Sequence, residues 1–494
     1  MTQTTFIKTC ALIGIDGHLV DVECDMSNSL PGLMIVGLGG KAVVEAKERI
    51  KSAIRNSGLS VPSKRITINL APADMPKDGT AYDLGIAVSI LQASGQVHIN
   101  EPTLFIGELS LSGEIKPVKG ILSYLAEAAE KSLLNVILPK GNSLEASLMK
   151  GFNIYPAENL EQVMNHFNFK KIQKLAMQKT EIKSSTGDLI INHIYGQKEA
   201  KRAISIAVAG GHNILLSGPP GSGKTMLARS AAQLLSPPSQ EEAIQIAKIQ
   251  SLVEKTKSFY IRRPFRSPHH SSSTSSLIGG GHRIKPGEIS LAHKGILFLD
   301  ELPEFRRDAL ESLREPLENN ELSISRANYS VKLPADFLLI AAQNPCPCGF
   351  LGDKTKSCRC SDQEAKRYRN KISGPLLDRF DITVEVPKIN IYEMQKPTED
   401  NNPISSIDLA RKIQQKRFGI NKTNSRMTNS EVKEFCSLNR ESTSIMNSAY
   451  EKLSLSTRGY IRTLKVARTI ADMEQRATIE PSHIAEALSY RSKG

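Results

Sequence analysis

The chain has 494 residues, with 64 lysines and arginines against 51 acidic residues, for a formal charge of +13. Hydrophobic residues make up 40% and charged residues 23%, which excludes a disordered chain, and the length suffices for about two to four domains. The sequence pI of about 9.3 favours an acidic partner such as nucleic acid, nucleotide or an anionic membrane surface.

No apolar stretch approaches the roughly 20 residues that a membrane span needs, and the first ten residues contain no apolar signal segment. Seven cysteines in a chain without an export signal indicate a reducing compartment. We therefore expect a cytoplasmic protein that has no membrane partner.

Residues 1–167 mix short β-branched strands with helical stretches. Arg65 to Leu70 predicts a strand, and Lys41 to Asn56 predicts an amphipathic helix. Residues 168–186 lose this periodicity and carry five lysines against one acid. They predict a flexible basic linker, with the frayed end of a helix as the alternative.

Residues 187–395 alternate strands with helices, which predicts an α/β domain with a mainly parallel sheet. Residues 396–494 begin with a polar stretch and then predict a helical domain. Its expected helices span 407–418, 429–438, 442–453, 457–475 and 481–490. Thr428 or Asn429 and the pair Glu480-Pro481 are typical helix starts.

A phosphate-binding loop is the clearest motif. Gly218 to Thr225 reads GPPGSGKT and matches G-x-x-x-x-G-K-[ST], between a predicted strand at 213–217 and a predicted helix at 226–235. Its backbone N–H groups and the helix N-terminus suit phosphate oxygens. Lys224 would reach the β- and γ-phosphates, and the Thr225 hydroxyl would bind Mg²⁺. A chance glycine-rich turn is the alternative.

Polar residues follow the later strands of the same domain. Asp300 and Glu301 end an apolar strand, where Asp300 would hold the Mg²⁺ shell and Glu301 would polarise the attacking water. An ordinary strand that ends in a charged turn is the alternative. Asn344 ends another buried strand and would face the γ-phosphate. Arg379 follows and would stabilise transition-state charge, including in trans.

These motifs together resemble the AAA+ ATPases of the magnesium-chelatase/MCM-related branch. A closer resemblance, covering nearly the whole chain, is to the ComM/YifB family of bacterial magnesium-chelatase-like proteins. It is carried by the segments RSPHH at 266–270, GGG at 279–281, PGEISLAH at 286–293, NPCPCG at 344–349 and SGPLLDR at 373–379.

The resemblance implies a hexameric, ATP-driven branch-migration helicase that acts in homologous recombination during natural transformation. It makes Glu301, Asn344 (sensor 1), Arg379 (arginine finger facing the neighbouring subunit) and Arg458 (sensor 2) catalytic, with Arg462 as the second choice for sensor 2. It implies ATP and Mg²⁺ as cofactors. The implied nucleotide-binding residues are Ile194, Tyr195, Gly196, Gln197, Gly218, Pro219, Pro220, Gly221, Ser222, Gly223, Lys224, Thr225, Met226 and Asp300.

The N-terminal segment resembles the Lon-type protease domain, an α+β domain of ribosomal-S5-like fold, through PKDG at 76–79 and GELSLSG at 107–113. That family places a serine nucleophile and a lysine base where this sequence has Ala81 and Leu122. Neither side chain can attack a carbonyl or move a proton. We therefore expect a scaffold domain without peptidase activity, and ATP-dependent proteolysis by the pure protein would contradict this.

Four of the cysteines form a C-x-C…C-x-C pattern: Cys346, Cys348, Cys358 and Cys360. Four thiolates can close a structural Zn²⁺ site, although C-x-x-C is the usual spacing. Reduced thiols in a loop are the alternative. The neighbouring pair His269-His270 is interpreted as loop-positioning or DNA-facing, because adjacent residues of an extended chain point to opposite faces.

Two basic regions are candidates for DNA. The window 255–287 has no acidic residue and would line the pore of a ring, contacting the phosphate backbone without reading bases. Its basic residues are Lys255, Lys257, Arg262, Arg263, Arg266, Arg283 and Lys285. The second region is a predicted hairpin at 322–332, carrying Arg326 and Lys332. For both, a solvated charged surface is the alternative.

Three functions compete. The first is a hexameric motor on single-stranded and branched DNA. The second is a chelatase-like ATPase that remodels a protein client, and the third is a scaffold without enzymatic activity. The acid-free window and the net charge favour DNA over a protein client. The full set of ATPase motifs argues against the scaffold.

Overall fold

Alternating apolar residues near the N-terminus form a mixed sheet in the computed structural model of the chain. The structure describes residues 5–37, 40–73, 75, 77, 79–168, 171–176, 189–253, 261–281, 284–325, 330–353, 356–389, 403–419, 422–453 and 455–491. The first strands are β1 Thr5–Ile13, β2 Asp16–Ser27, β3 Gly32–Val36, β4 Arg65–Ala71, β5 Thr103–Phe105, β6 Glu108–Leu109, β7 Ile115–Lys116, β8 Asn135–Pro139 and β9 Asn153–Ala157.

Seven of these strands pair in the order β3-β4-β2-β1-β5-β8-β9, with both parallel and antiparallel neighbours. Every second residue of β4 is buried, as its alternating sequence predicts. The helices of this segment are α1 Gly40–Asn56, α2 Asp83–Ala93, α3 Ile121–Glu130, α4 Ser143–Ala146 and α5 Leu160–Asn168. Sheet and helices make the expected α+β domain.

The central segment contains the expected parallel sheet. Its strands are β10 Ile214–Ser217, β11 Phe265–Arg266, β12 Gly279–Gly280, β13 Lys285–Pro286, β14 Ile296–Leu299, β15 Glu321–Ser325, β16 Ser330–Pro334, β17 Leu338–Gln343 and β18 Ile382–Glu385. Five of them form an all-parallel sheet in the order β11-β14-β17-β10-β18. The helices are α6 Lys198–Gly210, α7 Lys224–Leu234, α8 Gln240–Ser251, α9 Thr274–Ile278, α10 Glu288–Leu291, α11 Arg307–Glu311, α12 Arg314–Asn319, α13 Asp362–Arg369 and α14 Gly374–Leu377.

The C-terminal segment is helical, as the sequence predicts. Thr428 caps its helix with a capping box, which explains why the helix starts there. The helices are α15 Ile404–Phe418, α16 Asn429–Phe435, α17 Arg440–Lys452, α18 Thr457–Met473 and α19 Pro481–Ser489. They share one apolar core with α6, β10 and β18. No helix among the residues described above is long and apolar enough to cross a membrane.

Part of the predicted linker lies within the described residues. Residues 171–176 lie against the N-terminal domain, where Leu175 N–H donates to the Ile154 carbonyl at 2.8 Å. Ile172 and Leu175 pack against the apolar clusters of that domain, so this part is attached rather than loose. The remaining linker residues lie outside the described ranges, and the domain limits stay predictions.

The N-terminal domain and the ATPase segment are joined by a shared apolar cluster. Helix α8 contributes Ala243, Ile246 and Ala247, and these pack with residues of α3. Ala81 and Leu122, the positions that the Lon resemblance assigns to the dyad, belong to the same buried cluster. Apolar side chains therefore occupy these two positions inside the cluster that joins α3 to α8.

Candidate nucleotide-binding and catalytic site

The phosphate loop joins β10 to α7, as its motif predicts. Gly221 and Gly223 adopt φ values of +74° and +93°, and a Cβ at either position would meet no atom within 4 Å. The positive φ values favour glycine, and the open space leaves room for a ligand against the backbone. Pro219, Pro220, Ser222 and Met226 complete this stretch of chain.

Lys224 lies inside the loop with only 8% of its surface exposed. Its Nζ donates to the carbonyls of Gly218 at 2.7 Å and Pro219 at 2.9 Å, and to Asn344 Oδ1 at 3.3 Å. Burial lowers the pKa of Lys224, and the carboxylates of Asp300 and Glu301 oppose that shift. The Lys224 ammonium group is therefore a partly desolvated cation between the loop and the two carboxylates, where its attraction to a phosphate group is stronger than in bulk water.

The Mg²⁺ ligands that the sequence predicts lie side by side. Thr225 Oγ1 donates to Asp300 Oδ2 at 2.9 Å, and Asp300 Oδ1 accepts the Glu301 N–H at 3.0 Å. A hydroxyl and a carboxylate at this separation fit the oxygen shell of Mg²⁺ beside phosphates. They meet because β10, β17 and β14 are parallel neighbours and end at the same edge of the sheet.

Glu301 adopts φ +53°, a left-handed conformation that is strained for a residue with a side chain. Its carboxylate oxygen Oε2 lies 3.1 Å from His270 Nδ1. This contact was missed at the sequence level, where His270 was interpreted as loop-positioning or DNA-facing. The signal that could have predicted this contact is the position of each residue after its strand. Strand β11 is a parallel neighbour of β14, so the residues that follow the two strands lie at the same edge of the sheet.

The segment 194–197, which the resemblance assigns to nucleotide binding, also reaches the phosphate loop. Ile194 is buried in the core and Tyr195 is exposed, while Gly196 has φ +55°. Gln197 Nε2 donates to the carbonyls of Pro387 at 2.5 Å and Ser222 at 3.4 Å. Gln197 thus ties this segment to the loop and to the end of β18.

The predicted finger and both sensor-2 candidates lie at the opposite edge of the sheet. Arg379 precedes β18, whereas the phosphate loop follows the parallel strand β10. Four strand residues span roughly 13 Å, too far for an arginine to cross to its own loop. Arg458 Nη2 lies 3.5 Å from Glu318, and Arg462 lies 3.3 Å from Asp381.

Arg379 is clamped rather than free. Its side chain is 4% exposed, donates to the Pro375 carbonyl at 2.7 Å and forms an ion pair with Glu318. Burial lowers the pKa of Arg379, and Glu318 opposes the shift while Arg458 and Arg314 add to it. Several guanidinium groups thus surround the carboxylate of Glu318.

We expect Arg379→Ala to reduce ATP turnover roughly a thousandfold, because the transferring phosphoryl group loses a cation. Nucleotide affinity should stay close to that of the wild type. Steady-state ATPase rates and titration with a fluorescent ATP analogue measure the two quantities. Arg314→Ala is the matched control, since Arg314 lies in the same cluster but pairs with Glu311 at 3.0 Å.

A mixing experiment tests the trans assignment. Arg379→Ala subunits with an intact phosphate loop, mixed with Lys224→Ala subunits that keep Arg379, should recover part of the ATPase activity. If the mixture stays inactive, and if both single variants lose nucleotide affinity equally, Arg379 does not act on a neighbour.

Two of the predicted DNA contacts, Arg263 and Arg266, form ion pairs with acidic residues of the same chain. Arg263 is 17% exposed and donates to the carbonyls of Ser236 and Lys294 and to Glu242 at 2.6–2.8 Å. Arg266 forms a two-point ion pair with Glu288 at 2.6 and 2.7 Å. The window lacks acidic residues in sequence, but acids from α8 and α10 neutralise part of it in space.

The other DNA candidates divide into two groups. Arg262 and Lys285 are exposed, and Lys332 is exposed while lying 3.3 Å from Glu321 on the partner strand of its hairpin. Lys255, Lys257, Arg283 and Arg326 lie outside the described residues. Among the candidates in the described ranges, Arg262, Lys285 and Lys332 are therefore the exposed cations, and the DNA contacts stay predictions.

Comparisons with known proteins place the chain in a family. Three sequence families match: "Magnesium chelatase, subunit ChlI" at residues 190–394, "Subunit ChlI of Mg-chelatase" at 22–142, and "Magnesium chelatase, subunit ChlI C-terminal" at 404–491. Lon protease of Solibacter usitatus is 23% identical over 185 residues, which cover 35% of this chain and 23% of that protein.

Two relatives match almost end to end. Competence protein ComM of Haemophilus influenzae is 44% identical, covering 98% of this chain and 96% of that protein. The protein YifB of Escherichia coli strain K12 is 42% identical, covering 99% of this chain and 97% of its own length. The fold, the site and these relatives together show that the chain belongs to the ComM/YifB family of magnesium-chelatase-like AAA+ ATPases.

Proposed function

We propose that this chain is an ATP-driven DNA motor, a helicase that assembles into a hexameric ring and promotes branch migration in homologous recombination and natural transformation. The ATPase part rests above all on one observation: Lys224, Thr225, Asp300 and Asn344 converge at one edge of the parallel sheet. The family membership and the name of the Haemophilus relative support the biological setting.

In this proposal, the loop N–H groups and Lys224 bind the ATP phosphates, while Thr225 and Asp300 hold Mg²⁺. The bound metal would neutralise charge on the phosphates. Glu301 orients and polarises the attacking water, and His270 keeps its carboxylate in place. Asn344 contacts the γ-phosphate from the end of β17.

In this proposal a second copy of the chain completes each catalytic site. Arg379 and Arg458 lie at the sheet edge opposite the phosphate loop, so they serve a nucleotide that a neighbouring subunit holds. Each catalytic site is then shared between two subunits, and a closed ring completes every site. Six subunits is the number that the family resemblance implies.

DNA is the substrate that the charge distribution favours. Arg262 and Lys285 are exposed on the segment between the phosphate loop and Asp300, where a moving loop would be coupled to ATP hydrolysis. Sparse cations on an irregular segment suit contacts with the phosphate backbone. The net charge of +13 acts in the same direction.

We expect DNA to stimulate ATP hydrolysis, and reversal of two cationic charges to weaken this stimulation. Arg262→Glu with Lys285→Glu should weaken DNA binding and make its salt dependence shallower, because fewer counterions are released. Arg55→Glu with Lys131→Glu is the matched control, since both residues are exposed on the N-terminal domain. ATPase rates with single strands, duplexes and four-way junctions provide the measurement.

A second function would follow from one specific outcome. If ATPase rates stay flat with all three DNA structures, the magnesium-chelatase match over residues 190–394 favours remodelling of a protein client. If the double reversal behaves like its control while DNA still stimulates hydrolysis, DNA is bound elsewhere on the ring.

A further inference from the structure

We propose that Cys346, Cys348, Cys358 and Cys360 bind one structural Zn²⁺, and that this metal fixes the loop between Asn344 and Arg379 against the phosphate loop. The metal site itself is independent of the proposed function. Its effect on nucleotide binding rests on the nucleotide site proposed above.

The four sulfur atoms are arranged as a tetrahedral metal needs. All four lie within 4.8 Å of one another. Cys346 Sγ is 3.4 Å from Cys348 Sγ and 3.6 Å from Cys358 Sγ, and the last two are also 3.6 Å apart. A Zn–S bond of about 2.3 Å places tetrahedral sulfurs about 3.8 Å apart. A disulfide would require about 2.05 Å, and all four cysteines are unpaired.

Backbone N–H groups around the cluster point at its sulfur atoms. The N–H groups of Arg359 and Phe350 donate to Cys348. The Cys360 N–H lies 3.4 Å from Cys358 Sγ. Donors directed at sulfur are the supporting interactions that thiolate ligands need. Although C-x-x-C is the usual spacing of zinc ligands, the turns at the two C-x-C segments bring all four sulfur atoms together here.

The cysteine cluster is close to the nucleotide site both along the chain and in space. Cys346 follows Asn344 by two residues, and the Gly349 N–H donates to the Cys346 carbonyl at 2.9 Å. A Cβ on Gly349 would lie 2.6 Å from Pro220 Cδ, so this turn rests on the phosphate loop. A metal that fixes the turn therefore also limits how far Asn344 and the phosphate loop can separate.

The far end of the cluster is anchored as well. Helix α13 begins at Asp362, and Ser361 and Glu364 form its capping box. Lys371, just beyond this helix, lies 3.3 Å from Glu304, which follows the Asp300-Glu301 pair. One metal would join the first two cysteines, Cys346 and Cys348, to the last two, Cys358 and Cys360. This cross-link closes the loop, so that less conformational entropy is lost when the loop becomes ordered.

The first test is metal content. The full chain purified without chelator should contain about one zinc ion per chain by mass spectrometry of the metal. Cys348→Ser and Cys360→Ser should each reduce this strongly, whereas Cys436→Ser should keep it, because Cys436 is a buried thiol of the C-terminal domain. Less than about one tenth of an equivalent in folded wild type, even after incubation with zinc, would overturn the proposal.

If the serine variants fail to fold, replacing zinc by cobalt in the wild type still tests the metal site, because the absorption spectrum of cobalt reports its ligands and geometry. Thiolate-to-cobalt charge-transfer bands and the strong visible bands of a tetrahedral site should appear, and octahedral spectra would contradict the Cys₄ site.

The second test concerns the role of the metal. Protein that has been stripped with a chelator and then returned to chelator-free buffer containing Mg²⁺ should bind a fluorescent ATP analogue about tenfold more weakly, and added zinc should restore the affinity. Unchanged affinity in the stripped protein would refute the positioning role. If neither zinc-loaded nor stripped protein binds nucleotide, the proposed function fails while the zinc content still decides the metal site.

Discussion

Lys224→Ala is expected to abolish ATP hydrolysis and to weaken ATP binding by two to four orders of magnitude. The lysine supplies charged hydrogen bonds to the phosphates, each worth about 1.5–3 kcal/mol, so the loss of two costs roughly 3–6 kcal/mol. Alanine also leaves the carbonyls of Gly218 and Pro219 without the donor that they have now. Calorimetric titration with ATP and steady-state ATPase rates measure the two effects.

Glu301→Gln is the matched control, because it changes the same site without removing a phosphate contact. It should keep ATP affinity within about threefold of wild type and still lose hydrolysis by roughly 10²–10⁴-fold, since glutamine cannot polarise the water. Equal affinity in Lys224→Ala and wild type would show that the loop at 218–225 does not bind the phosphates. Full turnover in Glu301→Gln would remove Glu301 from the mechanism.

Local sequence signals predicted the fold and one half of the site. The phosphate loop, the Asp300-Glu301 strand end and the Asn344 strand end are each specified within about eight residues of chain. Their meeting follows from a general property of parallel sheets, in which strand ends share one edge. The start of a C-terminal helix was also predictable from local sequence. The capping box at Thr428 involves only the four consecutive residues 428–431.

Contacts between distant parts of the chain could not be predicted in this way. The neutralisation of Arg263 depends on Glu242 in α8, and the clamp on Arg379 depends on Glu318 in α12. No periodicity or motif links those pairs, because each is set by the packing of whole elements. An acid-free window in a sequence is therefore a weak predictor of an uncompensated cationic surface.

The contact between His270 and Glu301 shows the same limit in the catalytic site. The two residues follow different strands, and the pairing of β11 with β14 brings them together. Since His270 follows the segment that carries Arg262, a movement of that segment would reach the carboxylate of Glu301. This gives a physical route by which a DNA contact could alter the rate of hydrolysis.

The interface between the N-terminal domain and the ATPase segment leads to the second large effect. Leu122→Lys, which restores the basic residue of the Lon resemblance, is expected to destabilise the protein by about 3–5 kcal/mol. Leu122 has no exposed surface and lies in the cluster that holds α8, so the ammonium group would lose its hydration there. Urea unfolding measures the loss, and hydrogen–deuterium exchange should rise in α3 and α8.

Leu122→Met is the control that separates charge from shape, because a volume-conserving apolar change usually costs less than about 1.5 kcal/mol. If the lysine variant matched it in unfolding midpoint and in exchange, the cluster around α8 would be hydrated and would not join the two domains. If exchange rose only in α3, the N-terminal domain would unfold locally without releasing α8. A rise in both helices would show that the positions matched to a protease dyad now stabilise the contact between the two domains.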